Sequence, residues 1–368
     1  MNSDNTRQVG IASLYCDTRL GGIPRYFLTD EPECRMYVPN EVRKSVVFIG
    51  YKKPDGAYQL AGTAFFVSRI QGANLYTGGT GMGFTYLVTA KHVIDGIRNK
   101  GADKVCMRVN FKDGEAYWLE TDISKWLFHP TESGSVDVAV LRCGLAKELD
   151  HAGILIMAFA TEDIVRTTNI GIGDEVFLVG LFANHHGTKK NIPLVRVGNI
   201  AAKPEEPVEV RTFGLMDAYL IEARSLGGIS GSPVFVHIPA VRAKSILPES
   251  ARKNIKPDDT VFFALGLMHG HWDMMYADQD AVIEDATGIQ RVNMGIAIVV
   301  PASKILEVIE QPMIKENEER ILKEEREKGL PTSDSLEPEQ PITREGFEDA
   351  LKRASRKISS PDEEKNET

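Results

Sequence analysis

Thr85-Tyr86-Leu87-Val88-Thr89-Ala90-Lys91-His92-Val93 opens on an apolar, β-branched run and closes on a histidine. Branched and aromatic side chains pack well on a pleated surface, so the run predicts a strand, and the strand-to-turn junction after it holds the imidazole at a solvent-facing edge. Comparable runs lie on both sides, separated by Gly, Pro, Asn and Asp clusters. Ser45–Gly50, Thr63–Val67 and Val136–Leu141 accompany it, and Glu175–Gly180, Ala218–Glu222, Ser232–Val236, Val261–Gly266 and Asn293–Ile298 form a second group. Short strands at this spacing predict an all-β core, divided into one β-subdomain over 41–160 and another over 161–309. Gly72 to Gly83 reads as a long hairpin loop, and it lacks the G-x-G-x-x-G of a dinucleotide site.

The 368 residues carry 43 Lys plus Arg against 52 Asp plus Glu, a formal net charge of −9. An acidic chain without a basic block has no attraction for phosphate backbones or anionic membranes, so neither nucleic acid nor a membrane is an expected partner. Met1 to Arg7 is polar and leads into no apolar signal core, and no run of apolar residues is long enough to span a bilayer. The expected setting is the cytoplasm. Cys16, Cys34, Cys106 and Cys143 are widely spaced, with no C-x-x-C pair, and read as free, mostly buried thiols. Residues 1–40 form an extension of unassigned role.

The character changes over 310–368. Lys315 to Lys328 is charge-dense with helical apolar spacing and little apolar surface, and Pro331 to Pro341 is a polar linker. Thr343 to Ile358 predicts a helix, with Thr343 as N-cap, an Ile342–Phe347 staple and a stripe of Phe347, Ala350, Leu351, Ala354 and Ile358. That stripe packs on this chain's own body or on a partner, and periodicity does not choose between them.

Three patterns carry chemistry. His92 follows its strand, Asp137 heads the apolar run Asp137-Val138-Ala139-Val140-Leu141, and Ser230 lies in the glycine-bracketed turn Gly227-Gly228-Ile229-Ser230-Gly231-Ser232-Pro233. A serine hydroxyl is almost never ionised at neutral pH and needs an adjacent base, which histidine supplies. The imidazole needs an acceptor on its other nitrogen to fix its tautomer and offset its charge, and a desolvated aspartate does both. Acyl transfer also builds negative charge on the carbonyl oxygen. Backbone N–H groups of Gly228 and Ser230 are the candidate donors for it, Gly228 being free to take angles closed to other residues.

Thr89-Ala90-Lys91-His92-Val93, Asp137–Leu141 and Gly228–Pro233, in the order His, Asp, Ser and separated by 45 and 93 residues, resemble the signatures of trypsin-like, chymotrypsin-fold serine peptidases. Gly62–Val67 is similar to the strand before the histidine in HtrA-like members, and Gly171–Val179 with Val195–Ile200 resembles the start of the second barrel. The resemblance covers about 41–309. It implies two six-stranded antiparallel β-barrels with the active site between them, a His92-Asp137-Ser230 triad, an acyl-enzyme intermediate and an oxyanion hole from Gly228 and Ser230. It also places Arg224 and Ser225 at the specificity pocket, and Met268, His269 and Gly270 on the strand that pairs with substrate.

Departures from the secreted members are informative. Val93 and Leu226 stand where those members have cysteines, so disulfides are not the scaffold, and Ile229 replaces the aspartate that pairs with a newly cut amino terminus. Ser232 replaces the usual glycine, as in bacterial and viral relatives. An α/β-hydrolase is excluded because His92 comes first and the G-x-S-x-G pattern lacks its last glycine. His185-His186 and His269-Gly270-His271 lack the spacing of a zinc hydrolase, so no metal and no cofactor is expected. The expectation is a cytoplasmic, bacterial serine endopeptidase acting on protein or peptide. Its activity is expected to be gated by a ligand, a regulatory partner or self-association through the C-terminal extension. The alternative is a catalytically silent double barrel that binds peptides or serves as a scaffold.

Overall fold

The computed structural model describes residues 15–16, 38–71, 81–145, 148–182, 185–210, 213–223, 228–247, 252, 255, 259–275 and 291–327. The predicted hairpin tip before Gly81, the helix Thr343 to Ile358 and most of residues 1–40 lie outside them. In the first half the strands are β1 (Tyr15–Cys16), β2 (Val46–Lys52), β3 (Tyr58–Gln71), β4 (Gly81–Thr89), β5 (Lys104–Asn110), β6 (Ala116–Asp122), β7 (Leu127–Phe128), β8 (Ala139–Cys143) and β9 (Ile154–Leu155). Helices α1 (Asn40–Lys44) and α2 (Lys91–Asn99) are interspersed. The sheet runs β6-β5-β2-β3-β4-β8-β7 and curls into a half-barrel, with β1 added to β4 and β9 to β3.

After α3 (Glu162–Thr168), the second half comprises β10 (Glu175–Gly180), β11 (Leu194–Ala202), β12 (Val208–Val210), β13 (Gly214–Met216), β14 (Tyr219–Glu222), β15 (Pro233–Pro239), β16 (Thr260–Met275) and β17 (Arg291–Pro301). Six of these close into a barrel, β10-β11-β14-β17-β16-β15, and β12-β13 stands apart as a hairpin. Two helices, α4 (Ala302–Ile309) and α5 (Pro312–Glu327), follow. The fold is the chymotrypsin-like double barrel with C-terminal helices.

Several second-half strands are apolar throughout rather than alternating, because both of their faces are covered. In β10, Val176 and Leu178 join the barrel's interior cluster, while Phe177 and Val179 belong to the core shared with the first half. β15 divides in the same way: Val234, Val236 and Ile238 face inward, and Phe235 faces the seam. Phe177 and Phe235 stack there at 4.9 Å, with Phe262 edge-on to both. Offset and edge-to-face ring pairs of this kind add about 0.5–1.5 kcal/mol beyond area burial.

Polar clips join the halves as well. Arg108 on β5 donates to Thr188 O at 2.7 Å and to Asn191 Oδ1 at 2.9 Å, and Asn191 Nδ2 returns a bond to Arg108 O at 2.6 Å. The C-terminal helices fold back on the first half. Ala302, Ile305, Val308 and Ile309 of α4 enter its core, and from α5 the buried Glu318 pairs with Arg69 of β3 at 3.1 Å and accepts from the Tyr86 hydroxyl of β4. The charge-dense segment is helical as far as Glu327, and it packs on the body through Glu318 together with Ile321 and Leu322.

Candidate active site

His92 occupies the first turn of α2 rather than a simple turn after β4. Val93, Ile94 and Ile97 bury one face of this helix, and Ala90, which offers no side-chain cap, begins it. Asp137 lies two residues before β8 and is fully buried. Its Oδ1 accepts the backbone N–H of His92 at 2.8 Å, and its Oδ2 meets His92 Nδ1 at 2.6 Å. Burial opposes the charge on Asp137, but the attraction of His92 and the hydrogen bonds from His269 and His92 outweigh it and hold the carboxyl well below the usual carboxylate range. An ionised carboxylate only accepts, so each imidazole facing it carries its proton on Nδ1. The Nε2 lone pair of His92 is left for another partner.

Ser230 approaches from the second half, in the turn before β15. Thr63 of β3 is the residue that ties the two halves together here. Its N–H donates to Ser230 O at 3.0 Å, its hydroxyl donates to Gly228 O at 2.9 Å, and the same hydroxyl accepts from Leu181 N–H at 2.9 Å. Gly231 N–H donates to Met268 O at 2.7 Å, and Met268 N–H donates to Ser232 O at 2.8 Å, which zips the turn to β16. Gly228 and Gly231 both adopt positive φ, +98° and +82°. A Cβ on Gly231 would run into Thr63 O and Thr89 Oγ1, so the turn needs glycine both for its angles and for its approach to the β4–α2 junction. A Cβ on Gly62 would touch both Val93 and Ser230 O, which puts the serine's backbone beside the residue that follows His92. No hydrogen bond joins the His92 and Ser230 side chains among the described residues.

The structure thus brings His92, Asp137 and the Ser230 turn to one seam. Of the residues expected along the substrate strand, Met268 spends both backbone groups on the Ser230 turn, and Gly270 has open space on its Cβ side. His269 directs Nδ1 at Asp137 Oδ2, 2.5 Å away. Arg224 and Ser225 lie outside the described residues. Two further residues escaped the sequence reading. Thr63 makes its side-chain bonds to positions more than a hundred residues away, a partnership with no local signature. Phe213, between β12 and β13, sets its ring edge-on to His92 at 6.5 Å and to His269 at 5.3 Å. Cys106 and Cys143 are free thiols that burial pushes up to about 11 and about 12, so neither is a thiolate nucleophile at neutral pH.

Residues 62–237 match the family described as the trypsin-like peptidase domain. This segment is a trypsin-like peptidase domain. The match to this domain supports a serine protease. Comparison with curated proteins gives no match. Among solved structures, the chain is similar to Deg5 at 12% identity and a TM-score of 0.39, covering 73% of this chain and 88% of that one. It is similar to the HtrA-type protease AlgW with decapeptide at 15% identity and a TM-score of 0.40, covering 73% and 64%. It is also similar to the active form of a protease from M. tuberculosis at 17% identity and a TM-score of 0.38, covering 73% and 80%. No helix among the described residues of the chain is long and apolar enough to cross a membrane.

Proposed function

We propose that the chain is a serine endopeptidase whose nucleophile is Ser230, whose base is His92 and whose orienting acid is Asp137. The observation that carries this reading is the buried, ionised Asp137 gripping His92 at both its backbone N–H and Nδ1, beside a serine turn locked by Thr63. In this mechanism Ser230 Oγ attacks the scissile carbonyl and its proton passes to His92 Nε2. Asp137 stabilises the imidazolium, which then gives the proton to the leaving amine. The acyl-enzyme is hydrolysed by the same steps with water as nucleophile. N–H groups of Gly228 and Ser230 receive the oxyanion, and each such donor is worth about 3 kcal/mol of barrier. The open side of Gly270 suits the close approach of an extended peptide backbone. The free thiols of Cys106 and Cys143 support a reducing, cytoplasmic setting.

One observation favours the second reading, a silent peptide-binding double barrel: the absence of a His92–Ser230 hydrogen bond. A fluorophosphonate, which reacts only with an activated serine, separates the two. Labelling of the folded chain at Ser230, abolished by Ser230→Ala, is the expected result. An unlabelled, folded wild type assigns the protein to the silent class.

A further inference from the structure

Asp137 is met by two imidazoles on one oxygen. Its Oδ2 faces His92 Nδ1 at 2.6 Å and His269 Nδ1 at 2.5 Å, while Oδ1 takes the His92 backbone N–H. Orienting His92 requires only the first contact, and any hydroxyl or amide would satisfy the remaining lone pair of Oδ2. The structure instead supplies a second imidazole. One ligand atom each from His92, Asp137 and His269 falls within 4.8 Å of the others, drawn from α2, the segment before β8, and β16. Two imidazoles and a carboxylate are a donor set that takes zinc with a fourth position open.

We propose that His92, Asp137 and His269 form an inhibitory site for Zn²⁺. The binding is independent of the protease reading, and the inhibition rests on it. Zinc holds nitrogen and oxygen at about 2.0–2.2 Å, so tetrahedral ligands stand about 3.3 Å apart and each imidazole withdraws about 0.7–0.8 Å from the carboxylate oxygen to admit the ion. The His92 side chain is 33% exposed in the first turn of α2, which gives the ion a way in and the ring room to turn. The His92 N–H on Oδ1 keeps the carboxylate aimed, as outer partners do in metal sites. Phe213 lies edge-on to both rings and supplies an apolar wall.

The chemistry of inhibition follows from the tautomer. A neutral imidazole has one proton, and when His92 ligates through Nδ1 that proton must sit on Nε2. It moves there through solvent. In this exchange the proton only changes nitrogen on each ring, and nothing is oxidised or reduced. His92 then has no lone pair to receive the Ser230 proton, and removing the metal restores it. The other cluster of this type, His129, Glu132 and Glu307, offers no such place, because the Lys304 ammonium already bonds both carboxylates at 2.9 and 3.2 Å.

The test uses the full chain carrying Ser230→Ala, stripped with chelator and titrated with zinc chloride at pH 7.5 by calorimetry. One ion per chain is expected, and adding His269→Asn weakens binding by at least ~100-fold, beyond the range seen for outer-shell losses. ¹⁵N-histidine spectra of the Ser230→Ala chain need no second variant. Zinc should shift Nδ1 of two of the eight histidines and convert their Nε2 to N–H. Wild-type fluorophosphonate labelling should stop with zinc and return with chelator. The proposal is overturned by absence of binding, by shifts confined to other histidines, or by a folded His269→Asn variant that binds within about three-fold of its parent. If zinc binds as described and the metal-free wild type is never labelled, the site stands and the protease reading falls.

Discussion

Replacing Thr63 with valine keeps the side chain's shape and removes a single hydroxyl, so it isolates the clamp on the Ser230 turn. Thr63 is fully buried. The hydroxyl it loses accepts from Leu181 N–H, a buried bond, and donates to Gly228 O, a partly buried one. A buried N–H left without a partner costs about 1–3 kcal/mol, whereas a carbonyl that water can reach loses only the net worth of its bond, about 0.5–1.5 kcal/mol. Thr63→Val is therefore expected to lower unfolding free energy by about 1.5–4.5 kcal/mol, read from urea denaturation. The effect on chemistry is separate. Gly228, whose carbonyl Thr63 holds and whose own N–H is one of the two proposed oxyanion donors, then loses its fixed geometry, and loss of one such donor is worth up to about 10²–10³-fold. Fluorophosphonate labelling of Ser230 should slow by ten-fold or more under conditions where the variant is fully folded. An unfolding free energy within about 0.5 kcal/mol of wild type, together with an unchanged labelling rate, would falsify the view that Thr63 holds the turn.

Other outcomes follow from the same geometry. Asp137→Asn presents an amide to His92, favours the wrong tautomer and should slow turnover by about 10⁴-fold with the fold retained, as circular dichroism would check. Because the folded-state pKa of Asp137 is depressed, its charge contributes stability above the ordinary carboxylate pKa and loses it as pH falls through the folded value, so the variant's stability deficit should be full near pH 7 and shrink in acid. Gly231→Ala forces a side chain into a left-handed position and against Thr63 O, and the sum of strain and overpacking, about 2–5 kcal/mol, should appear as a lowered urea midpoint. Arg69→Met strands the buried Glu318 carboxylate and should cost about 3–5 kcal/mol. Burial raises the pKa of Glu318 against the pull of Arg69, so its contribution is fully present below the ordinary glutamate value and falls away as pH rises. Thermal melts of Glu318→Gln should therefore gain on wild type between pH 4.5 and 7, and a gap that narrows instead would count against the buried position of this acid.

Much of the fold is legible because strands covered on both faces write themselves as unbroken apolar runs. Glu175–Gly180 needs Val176 and Leu178 for one core and Phe177 and Val179 for the other, and the sequence supplies all four in a row. The segments holding His92, Asp137 and Ser230 are legible for another reason, since each is a short local pattern at the end of such a run. Helix α2 is not: nine residues with an internal Gly96 and no capping side chain give a weak helical signal, and packing of Ile94 and Ile97 decides it. Contacts between distant positions leave no trace in a local pattern. His269 reaches Asp137 across 132 residues and Thr63 reaches Gly228 across 165, and neither side chain differs in kind from one that merely faces solvent. Glu318 reads as one more acid in a solvated segment, and it is buried because Arg69 waits for it.

That wait has a temporal side. Arg69 and Tyr86 belong to the first half, while the carboxylate that satisfies them is encoded 249 and 232 positions later. At roughly 5–20 residues per second, a ribosome needs roughly 12 to 50 s to travel from Arg69 to Glu318. Throughout that interval Arg69 is without the buried carboxylate it meets in the folded chain. The acid is thus the last of the three side chains to be made, and Arg69, Tyr86 and Glu318 can come together only once α5 has been added.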